Sequence, residues 1–303
     1  MKGKNIIVTG GAGFIGSHIA EALAPGNSVK IIDNLYTGLK SNIGSVKEFE
    51  FCNADITDRE RIAKELREID IVFHEGANVR IPDSIKNPQF DATVNIIGTL
   101  NVLEASRIND IQNVVFAAST SVYGDPVELP MTEGHPLNPK SPYAVGKRAC
   151  EDYMKIYNEL YGIKTVCLRY FNVYGPRQRA DSPYSGVISI FADRLKNGKE
   201  VIVYGDGEQS RDFVNVKDVV TANILAAGSG RSGIYNVGSG TEITLNGLIK
   251  MMAGILKLKP EVVYRKKRQG DVRRSLADLT KIKKELGFEP EIRLEEGLRE
   301  VLL

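Results

Sequence analysis

Asn5-Ile6-Ile7-Val8-Thr9-Gly10-Gly11-Ala12-Gly13-Phe14-Ile15-Gly16 joins an apolar run to a glycine-rich turn and then to a stretch of helical periodicity, Phe14–Leu23. Such a glycine triplet is weak evidence by itself. Between a strand and a helix it gains a physical meaning. Gly10 permits the tight turn, Gly13 lets a diphosphate approach the backbone, and Gly16 lets helix and strand pack closely. The helix start then directs free N–H groups and its positive end at the phosphates. The turn therefore reads as a dinucleotide seat.

The second apolar run ends at Asp33. A carboxylate there accepts both ribose hydroxyls and repels a 2′-phosphate, which favours NAD over NADP. No arginine stands beside it to reverse that preference. Asp55-Ile56, after the third run, is placed to bracket the adenine.

Strand-like runs at Asn5–Thr9, Val29–Ile32, Phe49–Cys52, Ile71–Phe73, Val114–Ala117 and Thr165–Arg169 alternate with helical stretches such as Phe14–Leu23, Asp58–Arg67, Phe90–Ser106 and Tyr143–Tyr161. That rotation predicts an α/β fold, a Rossmann-type doubly wound parallel sheet covered on both faces. Beyond Phe171 the pattern loosens, with a helix expected at Val187–Lys196 and a strand at Val201–Tyr204. A helix at Val216–Ala227 and a strand at Ile234–Val237 regain the rhythm. The expected organisation is a dinucleotide-binding domain over 1–170, rejoined by about 214–240, and a smaller mixed α/β substrate domain over 171–303.

Tyr143 and Lys147 lie four residues apart in Ser141-Pro142-Tyr143-Ala144-Val145-Gly146-Lys147, so on a helix they share a face. Pro142 suits the helix start. An ammonium beside the phenol, with the charge of an oxidised nicotinamide, stabilises the phenolate as a base. Ser119 ends the preceding strand, where its hydroxyl can relay a proton. Tyr-x-x-x-Lys recurs by chance; behind a dinucleotide seat and beside Ser119 it reads as a catalytic set.

Across 303 residues, 40 basic and 38 acidic side chains give a net charge of +2, spread through the chain rather than gathered into a nucleic-acid-binding stripe. A hydrophobic content of 42% is ample for a buried core. A first strand from Asn5 leaves no room for a signal peptide, and no apolar run suits a membrane span. Cys52, Cys150 and Cys167 read as core thiols in a reducing compartment, the cytoplasm. His18, His74 and His135 lack the spacing of a metal site, so no metal is expected; His74 reads as a core residue.

These motifs, with Arg169-Tyr170-Phe171-Asn172-Val173-Tyr174-Gly175-Pro176-Arg177 and Gly205-Asp206-Gly207…Arg211-Asp212-Phe213, resemble the extended short-chain dehydrogenase/reductases, and among them the UDP-glucose 4-epimerase group, over nearly the whole chain. The resemblance implies NAD contacts at Gly10, Gly13, Phe14, Ile15, Gly16, Asp33, Asn34, Asp55, Ile56, Gly76, Asn95, Tyr143, Lys147 and Tyr170. It implies Ser119, Tyr143 and Lys147 as the catalytic residues. Asn172, Val187, Tyr204, Arg211, Arg268 and Asp271, with Ser275, are implied as UDP-sugar contacts. The physics agrees: arginines meet diphosphate bidentately, and Tyr204 can stack on uracil. A homodimer through Phe90–Ser106 and Tyr143–Tyr161 is also implied, although an apolar face on these helices equally suits packing within one lobe.

Two positions depart from the family pattern. Glu75 in His74-Glu75-Gly76-Ala77 replaces a small apolar residue and is expected to turn into a structural hydrogen bond, while Gly76 still permits close cofactor approach. Gly186 precedes Val187 where many members place an asparagine.

Related dehydratases carry an Asp-Glu pair where this chain has Thr120-Ser121, which supplies no acid to expel water. Oxidation and re-reduction at C4 remain, so the expected activity is UDP-hexose 4-epimerisation. Ser275 stands where a tyrosine closes the sugar pocket of glucose-restricted relatives, which extends the expectation to N-acetylated sugars. UDP-glucuronate epimerisation or decarboxylation is the alternative, with Arg80, Arg177 or Arg179 meeting a C6 carboxylate. A dehydrogenase releasing NADH and an NAD-sensing binding protein are further readings; the intact Ser119, Tyr143 and Lys147 argue against the sensor.

Overall fold

The computed structural model describes residues 1–44, 49–180, 186–267 and 272–303. Its strands are β1 (Asn5–Thr9), β2 (Ser28–Asp33), β3 (Phe49–Asn53), β4 (Ile71–His74), β5 (Asn113–Ser119), β6 (Lys164–Tyr170), β7 (Asn172–Tyr174), β8 (Val201–Tyr204), β9 (Ser210–Asn215), β10 (Gly233–Val237), β11 (Glu242–Thr244) and β12 (Val262–Arg265). Seven of them form one sheet in the order β10-β6-β5-β4-β1-β2-β3, every pairing parallel. Strand order reverses between β1 and β4, which opens a crevice at their carboxyl ends.

Successive side chains of these strands enter two cores. Ile6 and Val8 pack with Ile19, Leu23, Val219 and Ala226 beneath the helices Phe14–Leu23 and Val216–Gly228. Ile7 packs with Ile62, Val102, Leu103, Cys150 and Met154 beneath Arg59–Glu65, Gly98–Ile108 and Pro142–Tyr161. Burial on both faces is why the strands read as unbroken apolar runs. The cysteines Cys52, Cys150 and Cys167 are buried and unbridged.

A third core lies between the helices Val187–Lys196, Leu245–Leu256 and Leu294–Leu302, where Phe191, Leu195, Leu248, Met252 and Leu298 meet Val201 and Phe213. Beside it, β9 pairs antiparallel with β11 and parallel with β7, while β8 pairs parallel with β12. The chain then returns: Ile282, Leu286 and Phe288 pack into the core shared with Ile6 and Val8.

Phe90–Ser106, expected as one helix, is three consecutive pieces: Pro88–Ala92, a π-helical turn at Thr93–Ile97, and Gly98–Ile108. The Asn95 carbonyl is taken by the Thr99 hydroxyl at 2.6 Å and the Cys150 thiol at 3.1 Å. These tertiary donors accommodate the widened turn.

Candidate functional site

The crevice holds a cavity of about 440 Å³, within the range of small-ligand sites. Gly10, Gly13, Phe14, Ile15, Gly16, Asp33, Asn34, Asp55, Ile56, Gly76, Ser119, Tyr143, Lys147 and Tyr170 all line it. Residues read from seven separate stretches thus converge.

At the glycine turn, Gly10 has φ +66°, and a Cβ there would stand 2.7 Å from the Gly76 nitrogen. A Cβ on Gly16 would collide with the Gly10 carbonyl oxygen. Gly13 caps the helix Phe14–Leu23 in extended conformation with no side chain over its start. The cradle therefore stays open to a diphosphate, as a dinucleotide requires.

At the far end, Asp33 accepts the Ala12 N–H at 3.0 Å and the Leu35 N–H at 2.7 Å. Burial pushes its carboxyl pKa up, against those two bonds. A Cβ on Gly38 would lie 2.8 Å from both carboxylate oxygens, so the following loop folds closely over them. Asn34 donates to Asp55 at 2.7 Å. Burial opposes ionisation of Asp55, but hydrogen bonds from the Thr57 N–H and hydroxyl and from Asn34 outweigh it, holding its pKa low. The backbone cradle and the carboxylate ending β2 fit an adenine dinucleotide without a 2′-phosphate.

Ser141 caps the helix Pro142–Tyr161, its hydroxyl accepting the Ala144 N–H at 3.2 Å. That fixes the turn on which Tyr143 and Lys147 enter the cavity. Lys147 is 3% exposed and donates to the Ala117 carbonyl at 2.7 Å, with its ammonium 4.6 Å from the Phe116 ring centre and 5.9 Å from that of Tyr143. Ser119, on the next strand end, accepts the Ser121 N–H at 3.2 Å. A phenol, an ammonium and a hydroxyl thus face one cavity, a set suited to proton transfer.

His74 is core, bonded to the Thr9 and Thr99 hydroxyls at 2.7 and 3.0 Å; burial and then the Lys147 charge push its pKa down to about 3. Glu75 makes the expected hydrogen bond, accepting from the Tyr170 hydroxyl at 2.9 Å, yet still lines the cavity. Burial raises its pKa to about 7, opposed by that bond and by Lys147. Asn95 lies behind the wall instead of on it: it exchanges hydrogen bonds with the Asn78 backbone and donates to Asp91 at 3.0 Å, which places Asn78 on the lining.

Tyr36, Asn78, Phe90 and Gln178 also line the cavity and were not singled out by sequence reasoning. Tyr36 was the most discoverable, an aromatic three residues beyond Asp33; its ring sits 5.9 Å from that of Phe90. Asn172, Val187, Tyr204, Arg211 and Ser275 lie outside this lining, in or beside the smaller sheets, with Ser275 buried. Arg211 donates to the Ser210 carbonyl at 2.8 Å. Arg268 and Asp271 fall outside the described residues.

The chain matches the model of the NAD-dependent epimerase/dehydratase family over residues 6–238. It is 39% identical to a UDP-glucose 4-epimerase of Mycolicibacterium smegmatis, over 96% of this chain and 95% of that protein. Among solved structures, a UDP-N-acetylglucosamine 4-epimerase from Methanobrevibacter ruminantium in complex with UDP-N-acetylmuramic acid superposes with a TM-score of 0.97, at 41% identity, covering 100% of this chain and 98% of that one. A Thermotoga maritima UDP-glucose 4-epimerase with UDP-glucose superposes with a TM-score of 0.95, at 40% identity, over 98% and 97% of the two chains. Fold, glycine cradle and sequence agree: the chain belongs to the NAD-dependent epimerase/dehydratase family and, within it, to the UDP-glucose 4-epimerase family.

Proposed function

We propose that the protein is an NAD-dependent UDP-hexose 4-epimerase interconverting UDP-glucose and UDP-galactose, and UDP-N-acetylglucosamine and UDP-N-acetylgalactosamine. The observation that carries this reading is the convergence of Ser119, Tyr143 and Lys147 on the cavity that also holds the glycine turn and Asp33. Bound NAD supplies a two-electron acceptor that is restored within each turnover. Tyr143 removes the O4 proton directly or through Ser119, with the Lys147 ammonium 5.9 Å from its ring centre on the same cavity. Loss of hydride from C4 leaves a 4-keto sugar. It turns about its link to the diphosphate and is reduced on its other face, with Tyr143 returning the proton.

Thr120 and Ser121 form a short turn after Ser119, so the position of the dehydratase acid pair carries only hydroxyls. The arginines considered for a glucuronate carboxylate are engaged elsewhere: Arg80 with Asp83 at 3.8 Å, Arg177 with Glu21 at 2.5 Å, and Arg179 with the Thr37 carbonyl at 3.3 Å. We assign 1–170 with about 214–240 to NAD and 171–303 to the UDP-sugar, with Asn172, Val187, Tyr204, Arg211, Arg268, Asp271 and Ser275 as its contacts. Exposed Phe90, Ile97, Val145, Ile156 and Leu160 on the paired helices support a homodimer, which light scattering tests. Buried free thiols support a reducing compartment, the cytoplasm.

A product assay decides the activity. Protein incubated without added NAD, separately with UDP-glucose, UDP-N-acetylglucosamine and UDP-glucuronate, is expected to form the C4 epimers of the first two, seen by proton NMR. With NAD added, a sustained rise in absorbance at 340 nm instead indicates a dehydrogenase. Ser275→Tyr is expected to lower turnover of the N-acetylated sugar on the order of 100-fold relative to UDP-glucose, by filling the space for the acetamide. Equal loss on both substrates removes Ser275 from this role. Gly10→Ala places a methyl against Gly76 at positive φ, and protein carrying it is expected to release little or no NAD on denaturation.

A further inference from the structure

Glu75 follows β4 directly and abuts the glycine turn. Its N–H donates to the Thr9 carbonyl at 3.1 Å, and a Cβ on Gly10 would stand 2.8 Å from its carbonyl carbon. Its side chain lines the cavity together with Lys147 and Tyr170. The carboxylate accepts a hydrogen bond from the Tyr170 hydroxyl, which itself receives one from Asn223 Nδ2 at 2.8 Å.

The groups facing this carboxylate can be named element by element. From the helix Pro142–Tyr161 comes Lys147, which attracts it but donates its hydrogen bond to the Ala117 carbonyl. From β6 comes Tyr170, whose pKa burial and Glu75 push well up, so its proton stays on the phenol. The helix Val216–Gly228 contributes Asn223 and the turn after β1 contributes Gly10; neither titrates. His74, on β4, is occupied by the Thr9 and Thr99 hydroxyls and held neutral by burial. A half-buried carboxylate, bonded to a neutral phenol and attracted by Lys147, thus lines the cavity whose glycine turn forms a seat shaped for an anionic diphosphate.

We propose that this seat takes up a proton as the dinucleotide binds, and that Glu75 receives it. The inference rests on the reading of the cavity as an NAD site. The dinucleotide brings two phosphate charges against the single positive charge of the oxidised nicotinamide, and that net negative charge in the cavity disfavours the carboxylate and favours the carboxylic acid. The acid form no longer repels the diphosphate and gains an O–H donor. By linkage, the ligand then binds more tightly to the protonated protein, and its affinity falls as pH rises through the range in which free Glu75 ionises. Burial already brings that range to about 7.

The test is the pH dependence of NAD retention. Protein as purified is equilibrated by dialysis against graded NAD at pH values from 6.5 to 8.5, and bound NAD is counted after denaturation. The dissociation constant is expected to rise about tenfold across that interval, and to stay flat in Glu75→Gln, near the low-pH value of the unsubstituted protein. A flat profile in the unsubstituted protein overturns the proposal without recourse to any variant. An unchanged slope in Glu75→Gln overturns it as well. NAD absent at every pH overturns the cavity reading itself, and this inference with it.

Discussion

Tyr143→Phe is expected to lower turnover of UDP-glucose by on the order of 1,000-fold, with fold and bound NAD retained, because the substitution deletes one hydroxyl and leaves the ring in place. The ring is largely buried, and Lys147, Ser119 and the glycine turn keep their own anchors in the Ala117 carbonyl, the Ser121 N–H and the backbone. The loss should therefore fall on kcat, with KM for the UDP-sugar nearly unchanged. Ser119→Ala tests the relay. If protons pass through Ser119, the double variant is little slower than Tyr143→Phe alone, since both residues serve one transfer. If Tyr143 acts directly on O4, Ser119→Ala by itself costs little. Near-normal kcat in Tyr143→Phe would remove that residue from the reaction and leave the family resemblance without its base.

How far such a site can be read from sequence depends on whether its residues are placed by local rules. The glycine turn obeys them: strand, tight turn and helix start are neighbours in the chain, and Phe14–Leu23 forms as its periodicity predicts. The same holds for Tyr143 and Lys147, four residues apart on a helix begun by Ser141 and Pro142. Asn95 does not obey them. Whether it faces the cofactor depends on a π-helical turn whose carbonyl is claimed by Thr99 and Cys150, a contact across 55 residues that no local pattern records. Glu75 was visible as an unusual residue, but its setting was not, because Tyr170 lies 95 residues away and Asn223 comes from another helix. The smaller sheets were the least legible: β7 and β11 have three residues each, too few for a period to declare itself.

The helix that carries Tyr143 and Lys147 also carries Glu151, one further turn along the same face, and there the largest stability effect is expected. Glu151 and Arg169 are each 2% exposed, and their bond is bidentate: Arg169 Nε to Glu151 Oε1 at 2.8 Å and Nη2 to Oε2 at 2.7 Å. Nη1 donates to the Tyr123 hydroxyl at 2.9 Å and the Glu133 carbonyl at 3.1 Å, and Tyr123 donates to Asn236 at 2.6 Å. The catalytic helix, β6, the turn after β5 and β10 are thereby tied at one point. Glu151→Ala leaves a buried guanidinium without its counter-charge, which costs about 3–5 kcal/mol. In a chain of this length that lowers the melting temperature by roughly 5–8 °C. The pair is not required for stability as such, because two apolar groups of similar volume need no counter-charge. The double variant Glu151→Leu with Arg169→Met is therefore expected to recover much of the lost melting temperature while kcat stays depressed, since Tyr143 and Ser119 then sit on elements no longer held in one register. Calorimetry with kinetics on the two variants checks both halves. A single variant melting within a degree of the parent removes the buried pair as the anchor of the catalytic helix, and full kcat in the double variant confines the pair to stability.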